Sequence, residues 1–271
     1  MSYRGDARIA WYSMLAIYVA TLACAPKNAG QEFVTTCQVG SDQLGTFAGR
    51  WEKVPVPVAF RTNPLTGISD FSPGEIQAMI NSGASWNAFS AASLNFQALD
   101  LGGGDPTSVR FQATTKPSTV CNFAIYSQTT NAYTGAVVVY KDTTWPYPNI
   151  PQAIAITSVC PIRGGANIPN FSMAITEVNY QNFFIAGRAQ PDLQSIIAHE
   201  FGHLLGLKHS CEAAGSSGVP SCSTPGVDQS YLTALMFPAF AFANDGTGEI
   251  RRDLQSNDQG RTNCLYQDLK Q

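Results

Sequence analysis

Residues Ala198–Ser210 read AHEFGHLLGLKHS, and this stretch concentrates the residues able to do chemistry. His199 and His203 are four apart. On a helix that spacing stacks both imidazoles on one face, one turn apart. Two neutral imidazoles so placed can grip one Zn²⁺ from the same side. Glu200 sits beside the first of them, where its carboxylate can reach a water at the metal without readily joining the ligands. Gly206 can take φ > 0, end the helix and turn the chain. That turn brings His209 back as a third ligand. Three imidazoles leave a fourth zinc position open to water, as catalytic sites do and structural sites do not. The chemistry of such a centre is hydrolysis: zinc polarises a carbonyl and acidifies water, and Glu200 carries the proton.

A lone His-Glu-x-x-His arises by chance in many helices. The longer spacing through Gly206 and His209 is far more restrictive, and the chain's only three histidines all fall in it. The pattern resembles that of the metzincin metalloproteases, and Ser210, directly after the third His, points to their matrixin branch. Ala234-Leu235-Met236-Phe237-Pro238 resembles the matrixin Met-turn, in which Met236 would lie beneath the ligands. Taken alone, Met236 would be an ordinary core residue; its position downstream of the zinc motif argues otherwise. The resemblance is strongest over residues 191–266 and thinner over 50–190.

The resemblance implies a zinc-dependent metalloendopeptidase with one catalytic Zn²⁺, held by His199, His203 and His209, and Glu200 as general base. It implies an α+β, zincin-like fold, with a twisted mixed sheet and an active-site helix above a smaller, mostly irregular C-terminal subdomain. Ala153–Thr157, with Ala155 and Ile156 at its centre, would be the strand edge that pairs with the substrate backbone. Phe237 and Pro238 would begin the wall of the adjoining pocket. Asp258 stands where matrixins often carry an acidic residue that steadies the Met-turn; a plain solvated Asp is the other reading. Matrixins usually hold a second, histidine-bound structural zinc, and with no His left over that site should be missing. They are also often kept latent by a propeptide Cys. Cys37 could play that part, although it lacks the Pro-Arg-Cys-Gly context. The alternative function is a catalytically silent zinc-binding or adhesion module, against which the intact Glu200 counts.

With 271 residues the chain can hold one domain of ample core or two small ones. A net charge of −3 gives no basic footprint, which argues against nucleic acid; the resemblance implies a protein or peptide substrate, and the chain is expected to be a monomer. Arg4 and Arg8 precede an apolar run from Ile9 to Ala23, the length of a signal-peptide core and short for a membrane span. Residues 1–24 therefore read as an export signal. Ala23-Cys24-Ala25 fits a signal-peptidase site, although Pro26 is a poor neighbour for one. Thr21-Leu22-Ala23-Cys24 resembles a bacterial lipobox, which would lipidate Cys24 and attach the protein to the membrane of the cell envelope. Residues 25–49 read as a linker or short pro-segment, and 50–271 as the catalytic domain, with an upper part 50–209 and a lower part 210–271. Of the seven cysteines, six remain without Cys24, an even number that suits three disulfides in an exported chain. Fifteen pairings are open to six thiols. Cys211–Cys222, Cys121–Cys160 and Cys37–Cys264 are the preferred set.

The elements that position the motif are legible in part. Pro191 and Asp192 open the zinc helix, and Leu193, Ile196, Ile197 and Leu204 give it an apolar face. Ser72-Pro73-Gly74-Glu75 is a capping box, and apolar residues then recur at helical spacing from Ile76 to Ala92. Strands are expected at Pro55–Phe60, Leu94–Ala98, Val109–Ala113, Gly135–Tyr140, Ala153–Thr157 and Ser172–Tyr180, and a final helix at Asp253–Tyr266, weakened by Gly260. Asp100 and Asp105, around a glycine cluster, offer oxygen ligands suited to Ca²⁺, or form an ordinary surface loop.

Overall fold

A computed structural model describes residues 37–52, 56–60, 70–89, 97–99, 137–162, 168–216 and 218–266, all within one compact unit. Six strands form one sheet: β1 (Arg50–Trp51), β2 (Pro57–Phe60), β3 (Gln97–Leu99), β4 (Val137–Asp142), β5 (Ala155–Ile162) and β6 (Asn170–Asn179). Their order is β1-β6-β4-β2-β3, all parallel, and β5 joins β6 antiparallel. The sheet is thus mixed and open, as the α+β expectation required. Among the described residues β5 pairs with β6 alone, which leaves its other edge unpaired. β5 starts at Ala155 and runs to Ile162, later and further than the expected Ala153–Thr157. The antiparallel ladder with the long β6 carries it past Thr157, through a register shift at Cys160/Pro161.

Helix α1 (Pro73–Phe89) begins with a reciprocal capping box: the Ser72 N–H donates to Glu75 Oε2 at 2.6 Å and the Glu75 N–H to Ser72 Oγ at 3.4 Å. The zinc-motif helix α2 (Leu193–Leu204) is capped by Asp192, whose carboxylate accepts from the Ser195 N–H at 2.9 Å. Ile196, Ile197, Phe201 and Leu204 bury its inner face. The indole N–H of fully buried Trp86 reaches across from α1 to the Ala198 carbonyl at 2.9 Å, which ties the two helices together. Below lie the short α3 (Gln229–Thr233) and the terminal α4 (Ser256–Tyr266); the latter starts three residues later than its expected Asp253. α4 runs unbroken through Gly260. A Cβ there would stand 2.4 Å from the Gln38 carbonyl oxygen, so only glycine allows that approach.

Residues 37–49, the described part of the stretch 25–49 expected as a linker or short pro-segment, pack against the rest of the unit. Ser41–Thr46 form a 3₁₀ turn with Gln43 and Thr46 buried, and Phe47 bridges to Leu207. Cys37 is bonded to Cys264 and Cys211 to Cys222. That bond removes Cys37 from the latency role. Cys160 is also disulfide-bonded. Its expected partner Cys121, the export segment with Cys24, Asp100, Asp105 and the strand expected at Val109–Ala113 lie outside the described residues. No helix among the described residues is long and apolar enough to cross a membrane.

Candidate active site and metal centre

α2 puts His199 and His203 one turn apart, with ring centroids 4.8 Å from each other. The helix then stops in a Schellman motif: the Leu207 N–H reaches the Gly202 carbonyl and the Gly206 N–H the His203 carbonyl, both at 2.9 Å. Gly206 has φ +101°, and a Cβ there would meet the Gly49 carbonyl oxygen at 1.9 Å. The reversal brings His209 to ring-centroid distances of 5.4 Å from His199 and 4.9 Å from His203. The three ligand-capable nitrogens all lie within 4.8 Å of one another. A tetrahedral zinc with bonds of about 2.1 Å spaces its ligands roughly 3.4 Å apart, within easy reach of this cluster.

The surroundings suit the ion. His199 Nδ1 lies 2.8 Å from the Leu235 carbonyl and His203 Nδ1 2.7 Å from the Leu207 carbonyl. Each carbonyl needs a donor, so Nδ1 carries the hydrogen and Nε2 is left as the lone-pair ligand. Burial, then neighbouring His203 and His209, holds His199 well below the usual imidazole range. Burial and His209 lower His203 to about 3, and burial lowers His209. Zinc requires neutral imidazoles, and these three are neutral at pH 7.

Glu200 is buried, and burial pushes its carboxyl up to about 7 against hydrogen bonds from the side chain and backbone of Thr157 on β5. Among the described residues its Oε2 has no hydrogen-bond partner. A buried carboxylate oxygen left free on the helix that carries His199 and His203 suits a group that handles a proton.

Met236 is fully buried beneath the helix: a Cβ on Gly202, between the two helical ligands, would come within 2.1 Å of its Sδ. Asp258 clasps the turn from below, as the resemblance implied. Its carboxylate accepts from the N–H groups of Leu235 at 2.8 Å, Met236 at 3.1 Å and Gln255 at 3.0 Å. Burial pushes that carboxyl above its ordinary value, opposed by the charge of Arg261 and these N–H bonds. Phe237 and Pro238 follow, half-buried, with the Arg251 guanidinium 5.4 Å from the Phe237 ring centroid. Ala155 and Ile156 lie half-buried at the start of β5.

Sequence reasoning missed several supports. Arg261, fully buried on α4, donates from Nη1 to the Lys208 carbonyl at 3.0 Å and the His209 carbonyl at 3.4 Å. Its spacing three residues after Asp258 was the available signal. The Phe240 ring stands edge-on to His199 at 5.7 Å. Thr157 was seen only as part of a substrate edge, and no pattern marked its contact with Glu200.

No curated protein matches the chain. The matrixin family model matches residues 82–216, which span the whole zinc motif. Together with the histidine triad, this match shows that the chain belongs to the matrixin family of zinc metallopeptidases.

Proposed function

We propose that this protein is an exported zinc endopeptidase that cleaves extended segments of extracellular or periplasmic proteins, with Glu200 as general base. The observation that carries the reading is the unpartnered, buried Oε2 of Glu200, the residue that follows His199 on the helix bearing two of the three clustered imidazoles. His199, His203 and His209 would hold the ion, which when bound polarises the scissile carbonyl and acidifies water. Glu200, elevated to about 7 by burial, can accept a proton from the attacking water near neutral pH and deliver it to the leaving amine. Thr157 holds one side of the carboxylate and so leaves the other free for that transfer.

The unpaired edge of β5 supports the substrate class. An extended peptide can add to it as a strand, along Ala155 and Ile156, by main-chain hydrogen bonds. Phe237 and Pro238 wall the pocket for the residue after the cut bond. The apolar N-terminal run and the disulfides favour an oxidising exterior, and Cys24 is the residue by which the chain would be lipid-anchored.

Glu200→Gln tests the assignment. The variant should bind zinc and fold as the parent does, yet lose nearly all cleavage of casein or gelatin. Parent-like cleavage by that variant rules out the role given to Glu200. Cleavage by the parent that survives removal of zinc rules out the metallopeptidase mechanism.

A further inference from the structure

The third ligand stands on a loop, Gly206–Ser210, outside any helix, and an N-terminal strap runs alongside it. The Lys208 N–H donates to the Thr46 carbonyl at 2.7 Å, the Ala48 N–H donates to the Gly206 carbonyl at 2.8 Å, and Phe47 bridges Leu207. Gln43 is 1% exposed, which is deep burial for an amide. Its Nε2 donates to the Ser210 carbonyl at 3.1 Å, and its Oε1 accepts from Asn257 Nδ2 at 2.9 Å. The Thr46 hydroxyl donates to the Gln43 carbonyl at 2.6 Å and closes the 3₁₀ turn that aims this side chain. The start of the strap is fastened to α4 by Cys37–Cys264, and the Gln38 N–H donates to the Gly260 carbonyl at 3.3 Å.

We propose that the strap Cys37–Ala48 is a positioning device for the metal ligands, with Gln43 as its positioning residue and Cys37–Cys264 as its clasp. The proposal rests on the zinc reading above. Its physical basis is preorganisation. A ligand on a free loop must be ordered when the ion binds, and that entropy is subtracted from affinity. The strap orders the loop beforehand. It acts on two ligands at once, because Leu207, bridged by Phe47, also supplies the carbonyl that orients His203.

The test measures the zinc dissociation constant by chelator competition, and the visible spectrum of the Co²⁺-substituted protein. Three variants of the full chain are compared: Gln43→Met, which keeps shape and removes both hydrogen bonds; Cys37→Ser/Cys264→Ser; and Val58→Ala, a core truncation on β2. The first two should bind zinc about 10-fold or more weakly, the range expected when a group supporting a ligand is lost, and should shift the Co²⁺ spectrum with far-ultraviolet circular dichroism unchanged. Val58→Ala should lower the thermal midpoint and leave zinc affinity within about twofold of the parent. Should the cysteine variant not fold, Gln43→Met decides alone. Parent-like zinc affinity in Gln43→Met overturns the proposal, as does an equal weakening in Val58→Ala, since the strap would then act through general stability. A parent that binds no zinc would instead refute the zinc reading, and this inference with it.

Discussion

Two of the three clustered imidazoles stand on a helix and one on a loop, and the two regions are held by different kinds of interaction. α2 is locally determined: a cap at Asp192, an apolar face and a Schellman stop ending at Leu207 set the positions of His199 and His203 within one short continuous stretch. The Gly206–Ser210 loop has almost no local support. It is held by the strap from one side, by Arg261 from a second, and by the Met-turn from a third, where the Ser210 N–H donates to the Met236 carbonyl at 2.9 Å. Helical geometry suffices to pair two imidazoles. Bringing in a third from a reversed chain requires contacts from remote segments.

The contrast can be broken most severely at Asp258. Asp258→Ala would strip three backbone N–H groups of their acceptor and leave Arg261 buried without its counter-charge, 3.8 Å away. We expect a loss of about 3–5 kcal/mol in urea unfolding, with Asp258→Asn losing less. Gly206→Ala comes next. Its positive φ and the close Gly49 carbonyl make any side chain strained, so a cost of roughly 2–3 kcal/mol and weakened zinc binding should appear together. On the helical side the effect should be smaller. Asp192→Ala removes a cap and should cost about 1 kcal/mol of thermal stability, with zinc affinity little changed. If Asp192→Ala weakens zinc as much as Gly206→Ala, the division between a self-sufficient helix and a dependent loop fails.

The smallest effect is on pH. Burial alone would raise the Asp192 carboxyl, but hydrogen bonds from Arg252 and Ser195 outweigh it and hold it below the usual carboxylate value. Glu75 is likewise lowered, through Tyr180, Ser72 and Lys141, despite burial. A carboxyl depressed in the folded state adds stability that is present above its unfolded pKa. That stability is lost as pH falls through the ordinary carboxylate range towards the depressed value. Through these two carboxyls the thermal midpoint of the metal-free protein should fall on acidification within that range, whereas the raised carboxyls of Glu200 and Asp258 contribute with the opposite sign. Asp192→Asn keeps the cap, removes the charge and should flatten part of that slope. An unchanged slope would show that the Asp192–Arg252 contact contributes nothing to acid stability.

Much of the site was legible before any fold was known, because its signals are short in sequence. The His199–His203 spacing, the Gly206 turn and the Ser72–Glu75 capping box each span fewer than a dozen residues and follow from backbone geometry. Met236 and Asp258 could be placed only through family resemblance. Gln43 and Thr157 left no comparable trace, and Arg261 left only its spacing to Asp258. The partners that matter for the site lie far along the chain, 167 residues away for Gln43 and Ser210 and 53 for Arg261 and Lys208. The same lack of periodic signal made residues 37–49 read as linker, although they carry buried groups and a disulfide. The end of β5 was misjudged because a strand's length depends on its partner, here β6.

From residue order alone come the identity of the three imidazoles, the helix carrying two of them and the chain reversal after it, since each depends on torsions and spacings within a few turns. Only the folded molecule selects which Nδ1 meets which carbonyl, which oxygen of Glu200 stays free, and what holds His209 in place. Those outcomes require segments separated by up to 167 residues to meet in a close-packed interior, and local preferences in the chain do not encode such meetings.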